Sequence, residues 1–454
     1  MKTINEFDFF ELHYGKDGQP TDASELTALR QYLGGPAGTT DLILIAHGFR
    51  NDENDATSLY TDFLKSFRAD VNRPVFANTL KPRKWAVAGI FWPSKSFSEG
   101  PSGDAGSVQG LGDESSADRD ALEAALRDLR DNDANPTQQA NLNRALQLLD
   151  TMEGDTGAQD EFATLVLSLT DGATPDPSEG LDQVKAANGS DLLNVLKFPV
   201  ILPTSHDDSG EGGVQSVGDD IGVDFSGDGS AQGIGGIFGS IFGAAGKLLN
   251  LTTWYLMKDR SGAVGTTGMG PAVRTIKGAF PNLKIHLVGH SLGGRLMAAA
   301  SKVLAAAPRL SPDSLTLLEA AFSHYGFSTP AGKRPEGFFR AVMQPPIVRG
   351  PLLATFSAKD TVVGYAYAIT SRLAGDNVRA IGDKDDPYGG IGRNGAQQCA
   401  EAIEQPLNTA GTPYGPFPVN KVICLDGSGG LIRDHGDITN PHVTWAFANS
   451  IATT

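Results

Sequence analysis

The chain has 454 residues, and its 37 lysines and arginines against 53 aspartates and glutamates give a formal net charge of −16 at pH 7. This acidic balance disfavours binding to nucleic acid and to anionic membranes, because both attract basic protein surfaces. Two cysteines, Cys399 and Cys424, are too few for a disulfide framework. We expect two buried free thiols, with one disulfide between them as the alternative.

Residues 1–40 are interpreted as a polar lead-in punctuated by glycine. They lack the apolar segment of a secretory signal, so a cytoplasmic location is the default expectation and export by another route is the alternative. Residues 42–46 predict a buried strand, residues 55–67 a helix, and residues 87–91 a second strand. Two strands joined by a helix favour the beginning of a parallel, doubly wound sheet.

Strand–helix alternation then stops, from about residue 94 to residue 229. Apolar residues recur at helical spacing in three segments, 122–129, 142–149 and 162–169. We interpret this region as a helical insertion and as a candidate cap over an active site. The predicted organisation is an N-terminal core part (1–93), the insertion (94–257) and a C-terminal core part (258–454).

A loop rich in aspartate, glycine and serine lies within the insertion, at residues 206–229. Asp224 and Asp228 give residues 219–229 a loose similarity to a calcium-binding loop, but the closing glutamate is missing. A solvated loop is therefore favoured over a calcium site.

Residues 233–257 are unusually apolar, with isoleucine, leucine, phenylalanine and tryptophan among glycines. The segment is long enough to span a membrane, but Lys247 near its middle argues against that, because membrane-spanning helices exclude lysine from their centres. A buried or cap-forming helix is the favoured interpretation. A lid that makes transient contact with a membrane interface is the alternative.

The pentapeptide from Gly289 to Gly293, with Ser291 at its centre, has the pattern G-x-S-x-G. The apolar residues 283–288 before it predict a strand, and residues 294–300 after it predict a helix. In that context the motif describes a nucleophile elbow, a tight turn that presents the serine hydroxyl at the edge of a sheet. A tight turn without chemistry is the alternative. We interpret Ser291 as a nucleophile that needs a histidine base and a carboxylate.

The carboxylate is expected at the end of a later strand. Residues 315–318, 352–356 and 419–424 predict strands, and residues 361–373 and 441–451 predict helices. Asp360 follows the second of these strands and is the predicted acid, with Glu319 after the first strand as the alternative acid. Aspartate is also a favoured residue for capping a helix, which is the structural explanation for Asp360.

The base is expected near the C-terminus, where His435 and His442 are the candidates. His435 lies in a glycine-containing loop and is preferred. His442 stands at a helix start, where the dipole disfavours the charged imidazole. The backbone amides of Phe49 and Leu292 are predicted to form an oxyanion hole. His47, His286, His290 and His324 are expected to be structural, and the residue spacing predicts no metal site.

These residues resemble the α/β-hydrolase superfamily, in its lipase- and esterase-like branch. The pentapeptide around Ser291 looks like the lipase version of the elbow, and His47-Gly48 looks like the oxyanion-loop dipeptide. The resemblance covers about residues 40–95 and 250–454. It implies a mostly parallel sheet of roughly eight strands with helices on both faces. It also implies a two-step acyl transfer through Ser291 and His435 that needs no cofactor.

The expected function is hydrolysis of a carboxylic ester, in a small molecule or a lipid, with an apolar acyl chain accommodated by residues 233–257. An amidase and an interbacterial lipid-degrading toxin are alternatives within the same chemistry. A non-catalytic binding or scaffold protein that retains the fold is the alternative from another class.

Overall fold

The structure is a computed structural model that describes residues 1–95, 114–174, 176–198, 202, 239–332, 334–373 and 383–454. It divides into two compact units. The first unit consists of Met1–Ser94, Met257–Gly364 and Asp383–Thr454, and the second consists of Lys95–Leu256 and Tyr365–Gly382. The predicted calcium loop at 219–229 and the start of the apolar segment, residues 233–238, lie outside the described residues.

The first unit contains a nine-stranded sheet. Its strands are β1 (Lys2–Ile4), β2 (Phe7–His13), β3 (Asp41–Ala46), β4 (Trp85–Phe91), β5 (Lys284–His290), β6 (Ser314–Leu318), β7 (Leu352–Phe356), β8 (Ala402–Pro406) and β9 (Val422–Asp426). Their order in the sheet is β1-β2-β4-β3-β5-β6-β7-β9-β8. Only β1 runs antiparallel to its neighbour, and the other adjacent pairs are parallel. The mostly parallel sheet is confirmed, with nine strands where the resemblance implied about eight.

The helices in chain order are α1 (Ala23–Leu33), α2 (Glu53–Val71), α3 (Glu114–Asn132), α4 (Pro136–Leu148), α5 (Thr156–Leu167), α6 (Leu181–Ala186), α7 (Gly189–Leu196), α8 (Ile241–Ala263), α9 (Gly270–Ala279), α10 (Leu292–Ala305), α11 (Thr361–Leu373), α12 (Ile391–Asn394) and α13 (Pro441–Ala452). A π-helical turn, Val264–Met269, joins α8 to α9. Helices α3 to α7 belong to the second unit, and α8 and α11 each begin in one unit and end in the other.

Helices cover both faces of the sheet. Ile43 and Ile45 of β3 belong to a buried cluster with residues of α2 and α13, whose Phe67 and Phe447 rings lie 5.0 Å apart. Alternate residues of β3 face the other side of the sheet, where α10 contacts β3, β5 and β6. Because both faces are covered, every residue of β3 and β4 is buried, which explains why these strands are continuous apolar runs in the sequence.

The interpretation of residues 1–40 as a polar lead-in is wrong. These residues form β1, β2 and α1, and the Phe7 and Phe9 side chains are 0% exposed. Strand β2 pairs with β4 and extends the sheet beyond the strands that the sequence predicted. Its apolar residues alternate with Asp8 and Glu11, so β2 lacks the continuous apolar pattern of the central strands.

Two further strands differ from the prediction. The last predicted strand, 419–424, is displaced, because β9 spans Val422–Asp426 while Val419 is 53% exposed. The neighbouring Asn420 has a φ of 62°, a turn conformation that a strand residue does not adopt. The sequence analysis missed β8, which lies at the edge of the sheet and has exposed or half-buried residues throughout.

The second unit is helical in the residues described. The three segments with helical leucine spacing form α3, α4 and α5, so those predictions are confirmed. Buried residues such as Leu126, Phe162 and Leu193 form its interior. The Tyr367 hydroxyl donates a 2.5 Å hydrogen bond to the buried carboxylate of Glu179, and the Tyr255 hydroxyl donates to the Glu179 carbonyl at 2.7 Å.

The described part of the apolar segment is residues 239–257, of which residues 241–257 lie in α8. Leu248 and Leu249 are at most 1% exposed, so a buried helix is the correct interpretation for this part. None of the helices among the described residues combines the length and the apolar content that crossing a membrane requires. Contact with a membrane interface stays a prediction.

Both cysteines are free and buried, as predicted. Burial raises the pKa of the Cys424 thiol to about 12, and burial also raises the pKa of Cys399. Thiols with raised pKa values are protonated at neutral pH and are poor nucleophiles. Neither cysteine is therefore a candidate for covalent chemistry.

Candidate active site

The predicted site residues follow five strands that are consecutive neighbours in the sheet. Phe49 follows β3, Ser291 follows β5, Glu319 follows β6, Asp360 follows β7 and His435 follows β9. The chain order of the sheet reverses between β3 and β5, because β4 lies on one side of β3 and β5 on the other. Open α/β sheets bind their ligands at the carboxyl ends of the strands at such a reversal.

The turn around Ser291 is tight and strained. Ser291 has φ 54° and ψ −124°, values that side chains rarely adopt and that cost on the order of 1–3 kcal/mol. A methyl group added at Gly289 would lie 2.2 Å from the carbonyl oxygen of Gly293, so only glycine fits there. The amide of Ser291 donates to Leu318 and its carbonyl accepts from Ala321, each at 3.0 Å, which holds the turn against the neighbouring strand.

The Ser291 side chain lies at the start of α10, which begins at Leu292. Ser291 is 3% exposed, and its hydroxyl makes no hydrogen bond within the part of the chain that the structure describes. The first amides of a helix and its dipole stabilise negative charge at this position. The strand–turn–helix geometry that the motif predicted is therefore present.

The loop after β3 packs directly on the serine. A methyl group added at Gly48 would lie 2.7 Å from Cβ and 3.3 Å from Oγ of Ser291. The Phe49 amide, next in the chain, has no hydrogen-bond partner among the described residues. The amides predicted for an oxyanion hole, Phe49 and Leu292, thus lie on the two segments that meet at the serine.

His47 is buried and holds this loop in place through hydrogen bonds. Its Nδ1–H donates to the Gly48 carbonyl at 3.0 Å, its Nε2 accepts from the Trp92 amide at 3.4 Å, and its ring stacks on Trp92 with centroids 5.5 Å apart. Burial lowers the pKa of His47 to about 4, so the ring is neutral near pH 7. The structural role expected of His47 agrees with these contacts.

Asp360 and His435 are hydrogen-bonded. Nδ1 of His435 donates to Oδ2 of Asp360 at 2.9 Å, and Asp360 is 0% exposed. The other oxygen of Asp360 accepts from the Val363 amide at 2.9 Å, which caps α11 and fixes the carboxylate. Both explanations of Asp360, partner of a histidine and helix cap, therefore hold at once.

His435 keeps one ring nitrogen unengaged. Its Nε2 has no hydrogen-bond partner among the described residues, and 12% of its side-chain surface is exposed. This arrangement leaves Nε2 available to accept a proton while Asp360 holds Nδ1. The structure records no hydrogen bond between Nε2 and Ser291 in the described ranges, a bond that often tightens only when substrate binds.

His290 links the serine turn to the histidine loop. Its Nε2–H donates to the backbone carbonyl of His435 at 2.8 Å, and the two rings lie 4.7 Å apart. Burial is the larger cause and the nearby His435 the smaller cause of a lowered pKa of about 3 for His290. The ring therefore stays neutral and donates through Nε2–H. His290 precedes Ser291 in the chain, and its hydrogen bond therefore connects the serine turn to the backbone of the His435 loop.

Glu319, the alternative acid, lies close to the same imidazole. Its Oε2 is 3.9 Å from Nδ1 of His435, and Glu319 is 0% exposed. Burial raises the pKa of Glu319 well above its ordinary value, and the nearby Asp360 raises it further. The shorter contact belongs to Asp360, which is the acid that the sequence analysis preferred.

The alternative base His442 is engaged elsewhere. Its Nδ1 accepts a 3.0 Å hydrogen bond from the Ala410 amide, and its own amide donates to the side chain of Asn440, which caps α13. In the described residues His442 makes no hydrogen bond or ion pair with Ser291, Asp360 or Glu319. Geometry thus separates the two histidines that the sequence could not rank firmly.

The other two histidines expected to be structural are buried. His286 lies near the amino ends of the strands, with Nε2 3.0 Å from Asp41 and Nδ1 2.9 Å from Ser314. His324 is 0% exposed, and its Nδ1 lies 3.2 Å from the Asn394 side chain.

Arg393 supports the carboxylate and was not found from the sequence. It is 5% exposed, and its guanidinium donates to the carbonyls of Ala358 and Asp360, the second at 3.2 Å. These bonds hold the turn that carries the Asp360 carboxylate. No local pattern identifies Arg393, because it reaches the site from α12.

One group of side chains among the described residues could offer ligands to a metal ion. It consists of Glu319, Asp360 and His435, whose candidate atoms lie within 4.8 Å of one another. Nδ1 of His435 already donates to Asp360, so coordination through that nitrogen would break the hydrogen bond. We therefore interpret the group as an acid–base site, and the absence of a metal stays a prediction.

Comparison with known proteins does not decide the function. No family model matches the chain, and no curated protein or solved structure is significantly similar to it. The function is therefore inferred from the geometry at the carboxyl ends of the strands. Ser291, Asp360 and His435 lie there in the loops that follow β5, β7 and β9.

Proposed function

We propose that the protein is a serine hydrolase of the α/β-hydrolase type that cleaves carboxylic esters through an acyl-enzyme on Ser291. The observation that carries the proposal is the 2.9 Å hydrogen bond between His435 and Asp360, at the sheet edge where Ser291 occupies a strained turn. An Asp–His pair with one open ring nitrogen, beside a serine at a helix start, is the arrangement that activates a hydroxyl.

The first step forms the acyl-enzyme. Ser291 Oγ attacks the ester carbonyl while Nε2 of His435 takes the hydroxyl proton, and Asp360 stabilises the imidazolium through Nδ1–H. The oxyanion that forms accepts hydrogen bonds from the amides of Phe49 and Leu292, each of which is worth about 10²–10³ in turnover. His435 then gives its proton to the leaving alcohol.

The second step releases the acid. Water attacks the acyl group, with His435 again as the base, and the tetrahedral intermediate collapses to regenerate Ser291. Neutral His290 keeps the backbone of His435 in place during both proton transfers, because its Nε2–H bond at 2.8 Å does not depend on the charge of the His435 ring.

The substrate class is proposed from the insertion. The second unit leaves the core after Ser94 and after Gly364, which follow β4 and β7 at their carboxyl ends. The apolar composition of residues 233–257 favours an ester with an apolar acyl chain. A lipid substrate predicts a rate increase when the ester passes from monomers to micelles, whereas a soluble ester predicts none.

The experiment that tests the proposal is labelling with a fluorophosphonate probe, together with turnover of p-nitrophenyl esters. Wild-type protein should be labelled, and Ser291→Ala should show neither labelling nor turnover. Ser301→Ala is the matched control, because Ser301 is a buried serine of α10 whose hydroxyl bonds to Met297 of the same helix. Equal labelling of wild type and Ser291→Ala would contradict the proposal.

A non-catalytic binding or scaffold protein is the second candidate. It is favoured by one observation, namely that Ser291 and His435 are not hydrogen-bonded to each other within the described residues. Under this alternative the probe does not label folded wild-type protein at any pH between 6 and 9.

A further inference from the structure

Glu319 is a buried carboxyl group whose environment calls for an explanation. It is 0% exposed, and neither of its carboxyl oxygens has a hydrogen-bond partner among the residues that the structure describes. Leaving such a group unpaired costs about 1–3 kcal/mol, and more when it is charged. Its backbone φ of 43° adds strain, because residues other than glycine rarely adopt positive values. A buried carboxyl group without hydrogen-bond partners for its oxygens requires a specific explanation, such as a role in catalysis.

The position of Glu319 connects it to the proposed base. Its Oε2 lies 3.9 Å from Nδ1 of His435, the same atom that donates to Asp360 at 2.9 Å. The candidate atoms of the three side chains lie within 4.8 Å of one another. A shift of about 1 Å would bring Glu319 into hydrogen-bond range of Nδ1. Two carboxyl groups therefore compete for one N–H.

The charges around Glu319 favour one shared proton. Burial raises its pKa most, and Asp360, Asp434 and Asp437 raise it further. Arg393 donates to the Asp360 backbone and Arg433 pairs with Asp437 at 2.8 Å, and among the described residues neither guanidinium donates to the Glu319 carboxyl group. Two carboxyl groups whose oxygens lie within 4.8 Å repel each other when both are ionised, and a proton on Glu319 relieves that repulsion.

We propose that Glu319 is a second acid of the His435 site: it shares one proton with Asp360 and, when ionised, accepts the Nδ1–H bond of His435 in place of Asp360. Glu319 is then a positioning residue that acts on the reaction through the imidazole. This inference rests on the proposed function, since a second acid matters only if His435 is the base.

The first test compares the rate of fluorophosphonate labelling in wild type, Asp360→Asn, Glu319→Gln and the double variant. Asparagine keeps the oxygen that accepts from Val363, so α11 stays capped. With a single acid, loss of the aspartate costs about 10⁴-fold. With a second acid, Asp360→Asn at pH 9 should fall only about 10²-fold, and the double variant should fall the full ~10⁴-fold. Equal rates in those two variants would overturn the inference.

The pH dependence of the labelling rate shows whether Glu319 acts as a second acid or only fills space in the core. Glu319 has a raised pKa, so its carboxylate becomes available as the pH rises. The labelling rate of Asp360→Asn should therefore climb between pH 7 and pH 9 relative to the double variant. Asp426→Asn is the matched control, because Asp426 ends β9 at the same ends of the strands, accepts from the Ser428 amide, and is not among the carboxylates that raise the pKa of Glu319. Parallel profiles for Asp360→Asn and the double variant would contradict the inference.

An NMR measurement makes the test independent of catalysis. In ¹⁵N-histidine-labelled protein, the Nδ1 proton of His435 should resonate far downfield because it is bonded to a carboxylate, and His435→Asn assigns it. The signal should persist in Asp360→Asn at pH 9 and vanish in the double variant. If the probe does not label wild type, the proposed function fails while this signal still decides about Glu319.

If Asp360→Asn does not fold, Glu319→Gln alone provides the answer. An amide cannot share a proton with Asp360, so the downfield signal of Glu319→Gln should shift from its wild-type position. If the Nδ1 proton of His435 in Glu319→Gln has the wild-type chemical shift at every pH from 6 to 9, the inference is overturned.

Discussion

An aspartate–histidine pair lies at each end of the parallel strands, here called the amino edge and the carboxyl edge of the sheet. The two hydrogen-bond distances are nearly equal. At the amino edge His286 Nε2 lies 3.0 Å from Asp41, and at the carboxyl edge His435 Nδ1 lies 2.9 Å from Asp360. The pairs differ in what surrounds the imidazole. Both nitrogens of His286 are engaged, the second by Ser314, and the ring is 0% exposed.

The carboxyl-edge pair leaves room for chemistry. His435 retains an open Nε2 within the described residues and 12% side-chain exposure, beside the turn that holds Ser291. At the amino edge Asp41 is also neutralised by Arg83 at 2.8 Å, as expected for a group that only holds the structure together. A hydrogen bond between aspartate and histidine is therefore not sufficient evidence for catalysis. The free second nitrogen and the neighbouring serine distinguish the two pairs.

The largest expected effect is the difference in labelling rate between substitutions of His435 and of His286. His435→Asn should lower the rate of probe labelling by a factor on the order of 10⁶, because it removes the base. His286→Asn should leave the rate within about two-fold, since the sites are far apart, but lower the free energy of unfolding by about 1–3 kcal/mol. Labelling kinetics and urea unfolding measure the two quantities. If His286→Asn lost as much activity as His435→Asn, the distinction between the edges would be lost.

A smaller effect is expected from the loop that packs on the serine. Gly48→Ala places a methyl group 2.7 Å from Cβ of Ser291, so the loop carrying the Phe49 amide must move. Turnover of p-nitrophenyl esters should fall about 10²–10³-fold, the value of one oxyanion donor. Gly278→Ala at the end of α9 is the control, because a methyl group there meets no atom within 4 Å. Similar turnover in the two variants would contradict the assignment of the loop.

The buried histidines at both edges predict loss of stability in acid. Burial lowers the pKa values of His47 to about 4 and of His290 to about 3, and it also lowers the pKa of His286. Each contributes stability that is complete above its unfolded pKa near 6.5 and is lost as pH falls toward its folded pKa. For His47 and His290 the loss is about 1.4 kcal/mol per pH unit for each group.

Urea unfolding at pH 7 and pH 5 measures this dependence. Wild type should lose stability over the interval, and His286→Asn should lose less because one titrating group is gone. An equal loss in the variant would mean that His286 does not titrate differently in the folded and unfolded states.

The smallest expected effect concerns metal ions. The site interpretation assigns Glu319, Asp360 and His435 to proton transfer, so removal of metal by EDTA should leave the labelling rate unchanged. Addition of zinc should slow labelling only if the cation displaces the hydrogen bond between His435 and Asp360. A rate that depends on added metal after EDTA treatment would show that the group at the carboxyl edge is a metal centre.

The central strands and the nucleophile turn could be predicted from the sequence. Strands β3, β4 and β7 are buried on both faces and consist mostly of apolar residues, and the glycines around Ser291 are required by close backbone contacts. Strand β2, which lies next to the edge strand β1, and the edge strand β8 could not be predicted, because β2 has half-buried residues among its buried ones and β8 has no buried residue. Their residues give no continuous signal.

The supporting contacts of the site could not be predicted. His290 bonds to a residue 145 positions away, and Arg393 reaches Asp360 across 33 positions, so neither contact leaves a local pattern. The sequence presented Glu319 and Asp360 as alternatives for one role. Folding brings both to the same imidazole, a combination that no spacing rule contains.

The order of the strands also has a consequence for synthesis on the ribosome. Strand β3 ends at Ala46, while its partner β5 begins at Lys284, about 240 residues later. At a synthesis rate of ~5–20 residues per second, the side of β3 that pairs with β5 stays unpaired for on the order of ten to fifty seconds. An unpaired strand edge is an aggregation hazard during this interval. The nascent chain should therefore depend on chaperones until translation passes the elbow serine.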